Sequence, residues 1–240
     1  MKLDILAFGA HPDDVELGCS GTLLKMIAQG KKVGVVDLTR GELGTRGTAE
    51  IRDREAAAAA ELMGLAVREN LRFRDGFFCN DEAHQRAIVR VIRAYRPEVV
   101  LCNAPFDRHP DHGRGSSVVR DGAFLAGLRR VETERDGQVQ EAWRPHKVFQ
   151  YIQDHLLLPS FVVDVTDYID GKMAALQAYG SQFYNPDRKE GEPQTYISSP
   201  NFMEQIRARA KDMGHLIGVR YGEGFIAERP LRVEDFHQHL

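Results

Sequence analysis

Cysteine is scarce in this chain. Cys19, Cys79 and Cys102 are an odd number, widely spaced and without a Cys-x-x-Cys pair, so neither a disulfide framework nor a thiolate zinc site is expected. A reducing cytoplasm is the expected location. Charge of one sign is also missing: the net −3 leaves no basic footprint for nucleic acid, and clusters such as Arg129-Arg130 read as solvated helix ends. No apolar run approaches the ~18 residues of a membrane span. The longest candidate, Leu156 to Val163, is broken by Pro159 and Ser160. The start, Met1 to Phe8, is interrupted by Asp4 and is too short and too charged for a secretory signal. Internal repeats and low-complexity tracts are absent. The first strand-to-helix turn lacks a Gly-x-Gly-x-x-Gly fingerprint, and no Gly-x-x-x-x-Gly-Lys phosphate loop occurs. Nucleic acid, membranes and nucleotides are therefore not the expected partners.

What is present is apolar patterning sufficient for one core, and residues 1–240 read as a single domain. Strand and helix periods alternate through the first two thirds, the signature of an α/β fold with a Rossmann-like, doubly wound, mainly parallel sheet. Strands are expected at Leu3 to Ala10, Val33 to Leu38, Leu71 to Phe73, Val99 to Asn103, Val148 to Ile152 and Phe161 to Val165. Helices are expected from Ser20 to Gln29, from Ala49 to Met63 with Gly64 as terminator, and on the face Ala87, Ile88, Val91, Ile92, Tyr95. Further helices are expected after His112 to about Arg130, from a Thr166 N-cap to about Gln182, and from Phe202 to Met213. Thr39 to Thr48 is a glycine-punctuated loop, either a lid or a lengthened connection. Tyr184 to Pro200 reads as a long loop, and Gly218 to Val233 as an extended crossing segment.

Two clusters of metal-ligating residue types follow two of these strands: His11-Pro12-Asp13-Asp14 and His109-Pro110-Asp111-His112. With the common strand order 3-2-1-4-5, strands one and four are neighbours and both clusters lie at the switch point where ligands bind. Proline stiffens each turn. A catalytic zinc site takes three His or carboxylate ligands and keeps a fourth position open. About three of His11, Asp13, Asp14, His109, Asp111 and His112 are then left for other work, and spacing alone does not choose among them. The general requirements are a carboxylate to take a proton from water and a second group to stabilise an oxyanion or protonate an amine. Arg52 and Arg108 are the cationic candidates for a substrate carboxylate or acetyl oxygen.

With Glu16-Leu17-Gly18, Gly21-Thr22, Arg52 and Glu55, these motifs resemble the LmbE/PIG-L family of zinc-dependent N-deacetylases over nearly the whole chain. The resemblance implies zinc on His11, Asp14 and His112, Asp13 as general base, and His109 acting on the tetrahedral intermediate with Asp111 as its partner. It also implies a homo-oligomer, hexamers being known in the family. The segments Asp37 to Glu42, Gly44 to Gly47, Tyr179 to Phe183, Tyr196 to Pro200 and Gly218 to Tyr221 are most similar to the bacterial deacetylases of bacillithiol biosynthesis. Those act on a small-molecule sugar conjugate, N-acetylglucosaminyl malate. An amidase of thiol S-conjugates, a deacetylase of other N-acetylglucosaminides and a non-catalytic metal-binding module are the alternatives. The spare Asp13 argues against the last.

Overall fold

The computed structural model describes residues 1–185 and 193–235. Its central sheet has seven strands. In chain order the strands are β1 (Ile5–Gly9), β2 (Val33–Thr39), β3 (Val67–Phe73), β4 (Val99–Asn103), the two-residue β5 (Glu134–Arg135) and β6 (Gln138–Val139), β7 (Lys147–Tyr151), β8 (Phe161–Asp164) and β9 (Gly222–Ala227). The helices are α1 (Asp14–Ala28), α2 (Ala49–Met63), α3 (Glu82–Tyr95), α4 (Pro110–Ala126), α5 (Ile169–Gln177) and α6 (Pro200–His215). The sheet runs β3-β2-β1-β4-β7-β9-β8, and β5 and β6 form a separate hairpin.

The expected order 3-2-1-4-5 is present, with β7 as the fifth parallel strand. Two strands extend it. The C-terminal β9 inserts antiparallel between β7 and β8, which is how the extended tail crosses the domain. Every residue of β1 and β2 is buried, as expected of parallel strands covered on both faces. Phe8, Val36, Ile88 and Val118 fill one face, and Ala7, Val35, Leu23 and Tyr151 the other. Among the described residues no helix is long and apolar enough to cross a membrane.

Several boundaries depart from the sequence-based expectation. Helix α1 begins at Asp14, six residues before Ser20. Two glycines inside this helix are packing devices: a Cβ on Gly18 would lie 2.1 Å from Cδ2 of Tyr151, and one on Gly21 3.0 Å from Cβ of Val165. Thr166 does not cap a helix. It opens a 3₁₀ turn, its hydroxyl accepts the Tyr221 N–H at 3.2 Å, and α5 ends at Gln177. The strand expected at Leu71 starts at Val67, and the final helix starts two residues earlier, at Pro200, with Ser199 as its cap. Residues 186–192 of the expected Tyr184 to Pro200 loop lie outside the described residues; Tyr196–Ser198 is a 3₁₀ turn. By contrast α2 has the expected bounds, opened by the Thr48 hydroxyl on the Ile51 N–H and closed by Gly64 at φ 72°.

Candidate active site

β1 and β4 pair in parallel, so the turns after Gly9 and Asn103 emerge side by side. In the first turn Asp13 has φ 114°, a left-handed conformation that costs a non-glycine residue ~1–3 kcal/mol and that clusters at functional sites. The twist lets Asp13 and Asp14 point to different places. Asp14, at the helix start, accepts the His11 N–H at 2.9 Å and the Asn103 side-chain amide at 3.1 Å on Oδ2, and the Gln153 amide at 2.8 Å on Oδ1. Asp13 points instead to Arg52, whose guanidinium donates to it at 2.9 Å and also to the Pro12 carbonyl. Gly41 leaves room for that guanidinium, since a Cβ there would stand 2.4 Å from Nη1.

In the second turn His109 is the N-cap of α4. Its Nδ1 accepts the Asp111 N–H at 3.2 Å. A neutral ring that accepts on Nδ1 carries its proton on Nε2, so His109 offers the cleft an N–H donor. His112 is clamped between carboxylates: Nδ1 lies 2.7 Å from Asp107 and Nε2 lies 3.1 Å from Asp14 Oδ1. His11 stands with Nδ1 3.5 Å from Asp14 and Nε2 3.0 Å from Asp75 and 3.4 Å from Asp111. His11, His109 and His112 can bring one ring nitrogen each within 4.8 Å of the others, as can the donor atoms of His11, Asp75 and Asp111.

The two turns therefore do meet, and the expected site residues stand together at the carboxyl ends of β1 and β4. Two expectations change. The Asp111 carboxylate acts on the His109 ring through its charge, which favours the cationic ring, and not through a hydrogen bond; its Oδ2 accepts the Gly76 N–H at 2.7 Å and faces His11, and its Oδ1 meets Arg114 at 2.8 Å. Arg52 is buried and paired with Asp13, so its guanidinium braces the first turn, and it also stands in the cleft wall. Arg108 remains exposed on the cleft, over the Tyr196 ring at 4.9 Å and 3.8 Å from Asp154. The Thr39 to Thr48 loop supplies Leu43 to Arg46 to the cleft wall, with the Leu43 N–H on Asp75 at 2.9 Å.

Burial and neighbours set the protonation of these groups. Burial pushes the Asp13 carboxyl up to about 7, with Arg52 opposing. Asp14 is driven well below the usual range because His112 and His11 outweigh its burial. Burial alone would lower the two imidazoles that face Asp14; the carboxylates win, raising His112 to about 9 and His11 well above its usual value. Burial and the neighbouring His11 and His112 push His109 down to about 4. The cluster thus holds protons between anionic oxygen and imidazole nitrogen, where a divalent cation would find its ligands. The donor chemistry fits a metal ion, and the Asp107 carboxylate behind His112 is the usual support for a ligating imidazole.

Asp75, Asp107, Asn103 and Gln153 were not foreseen from sequence. Only Asp107 had a local signal, lying five residues before His112 in the same turn.

A family model described as "PIG-L: GlcNAc-PI de-N-acetylase" matches residues 6–123, from β1 into α4. A diacetylchitobiose deacetylase of Thermococcus kodakarensis is 27% identical, with 92% of this chain and 81% of that protein covered. The crystal structure of the conserved protein TT1542 from Thermus thermophilus superposes with a TM-score of 0.86 at 36% identity, covering 98% of both chains. The chain belongs to the PIG-L family, and it is an enzyme of the amide-hydrolysing kind. The scaffold also carries other chemistry: a 4-carboxy-2-hydroxymuconate hydratase, GalB of Pseudomonas putida KT2440, shares the fold at a TM-score of 0.77 and 22% identity, covering 98% of this chain and 100% of that one.

Proposed function

We propose that the chain is a zinc-dependent N-deacetylase that removes the N-acetyl group from a GlcNAc conjugate with a carboxylate-bearing aglycone of the N-acetylglucosaminyl malate kind. Acetate and a free amine are the products. The observation that carries the reading is Asp13: a buried carboxyl held near a pKa of about 7, beside but turned away from the Asp14, His11 and His112 cluster. A carboxylate that only bound metal would need no such placement.

In this reading His11, Asp14 and His112 hold the ion. A bound zinc would polarise the amide carbonyl and acidify water. Asp13 takes the proton of the attacking water, and its pKa near working pH suits both taking that proton and passing it to the leaving amine. Arg52 fixes the carboxylate direction. His109, with Nδ1 spent on the helix cap, donates Nε2–H to the carbonyl oxygen as negative charge develops there. It acts there as a neutral donor, because burial with the neighbouring His11 and His112 lowers His109 to about 4.

The malate-type aglycone rests on Arg108, exposed at the rim beside Tyr196. A charge-assisted contact contributes roughly 1.5–3 kcal/mol, about ten- to a hundredfold in kcat/KM. Acetate release from GlcNAc-malate, GlcNAc-inositol and diacetylchitobiose on one metal-loaded preparation tests it. GlcNAc-malate should lead by at least about tenfold, and Arg108→Ala should erase that lead while sparing the neutral substrates. Equal efficiency on all three would return the substrate to N-acetylglucosaminides at large.

A further inference from the structure

Two cavities meet at the cluster. The cleft, of about 410 Å³, opens over His11, Asp13 and His109, and its walls include hydrogen-bonding groups on Thr45, Arg46, Arg108 and Gln182 alongside Leu17, Leu43 and Ile197. A second cavity, of about 270 Å³, lies behind it, and Leu17, Arg108, His112, Gln153 and Ile197 line both. Its remaining walls combine an apolar group, Ile152, Phe202, Ile206, Ala210 and Met213, with the titratable Asp154, His155, Lys172, Arg209, Asp212 and Glu223, and most of the surface it exposes is apolar. An amide held at the cluster has two arms. The sugar arm carries hydroxyls that need hydrogen-bonding walls, which the cleft provides. The acyl arm needs none.

We infer that the second cavity receives the acyl arm, and that this chain cleaves N-acyl groups longer than acetyl. The inference rests on the amide-hydrolase reading above and extends its substrate class. An acetyl methyl would leave most of such a cavity without apolar contacts, whereas a chain of several methylenes would gain contacts there. The charged pair on the floor does not oppose this. Lys172 and Glu223 are 3% and 4% exposed, and protein groups satisfy them: Lys172 donates to the Leu17 carbonyl at 2.7 Å and to Glu223 at 2.6 Å. Glu223 also accepts the Gly21 and Thr22 N–H groups at 3.0 and 2.7 Å. Arg209 and Asp154, paired at 2.8 Å, stand among the other wall residues, and their charges likewise answer each other.

The test is a series of N-acyl glucosamine conjugates with one aglycone, from acetyl through butyryl and hexanoyl to decanoyl, assayed by amine release from the metal-loaded enzyme. Each buried methylene raises kcat/KM by up to about fourfold. Hexanoyl should exceed acetyl by at least about tenfold, with a decline once the chain outgrows the cavity. Ala210→Phe should lower the hexanoyl-to-acetyl ratio by about tenfold; the milder Ala210→Val should lower it less, and the ratio cancels any general loss of folded enzyme. Acetyl cleaved while every longer chain is slower would overturn the inference and leave the deacetylase reading standing. An N-acetyl octyl glycoside outrunning the hexanoyl substrate would give the cavity to the aglycone instead and overturn it too. No amine from any member would overturn the amide-hydrolase reading itself, and this inference with it.

Discussion

The two His-Pro-Asp turns share three letters and differ in everything that decides their chemistry. In the first, the helix begins at the fourth residue, Asp14, and the third, Asp13, is left outside it with a left-handed backbone. In the second, the helix begins at the proline, the histidine becomes the cap, and the third residue, Asp111, is already helical. The phase of the helix start thus sends two equivalent aspartates to opposite fates. Asp13 is buried against a single arginine and raised to about 7. Asp111, although burial acts to raise it too, is lowered by His11 and the Gly76 N–H. One is placed to move a proton and the other to anchor.

The strongest way to sharpen that contrast is through the metal. His112→Ala should abolish metal retention and turnover together, because two remaining ligands hold zinc poorly, whereas His109→Ala should keep its metal and lose rate only. Metal analysis after dialysis reads the difference; metal lost from the His109 variant and kept by the His112 variant would exchange their roles. Next in size is Asp107, which touches no substrate in this account. Asp107→Asn should weaken metal affinity by about 10–100-fold, measured by competition with a chelator, since the carboxylate that orients the His112 ring is gone.

Smaller again is the effect of filling the space beneath the first turn. Gly18→Ala places a Cβ 2.1 Å from the Tyr151 ring, whose hydroxyl is bonded to the Phe8 carbonyl at 2.9 Å, so the ring cannot simply swing away. A loss of about 1–3 kcal/mol in denaturant unfolding is expected. The smallest effect is a pH-dependent gain. The folded Asp13 carboxyl releases its proton near pH 7 instead of near 3.8, so the native state binds that proton more tightly than the unfolded chain does. Its contribution is present below about 4 and is lost as pH rises through about 7. Metal-free Asp13→Asn should therefore melt at least about 2 °C above the wild type at pH 8, and the gap should close by pH 4. A gap that widened toward acid would contradict the raised pKa.

Much of this was legible in the sequence where a local signal existed. The bounds of α2 follow from Thr48 and Gly64, and the adjacency of the two turns follows from alternating strands and helices. The start of α1 was not legible, because Ser20-Gly21-Thr22 offers a helix-opening pattern of its own, and Gly18 and Gly21 show their packing role only once Tyr151 and Val165 are seen against the helix. Asp75 and Gln153 were invisible for a similar reason. They sit after β3 and β7, and only the sheet order brings them to His11 and Asp14. Arg52 was noticed for its charge, but its partner, 39 positions away, required the fold.

The most direct test of the central claim applies one substitution to both turns, Asp13→Asn and Asp111→Asn, with metal content and acetate release measured on the same preparations. Asp13→Asn should hold one metal per chain and lose about 10²–10⁴ in kcat. Asp111→Asn, which loosens the support of His11, should lose metal affinity and show a smaller deficit in kcat once metal is saturating. An Asp13 variant that turns over near the wild-type rate, or that loses its metal, would contradict the account.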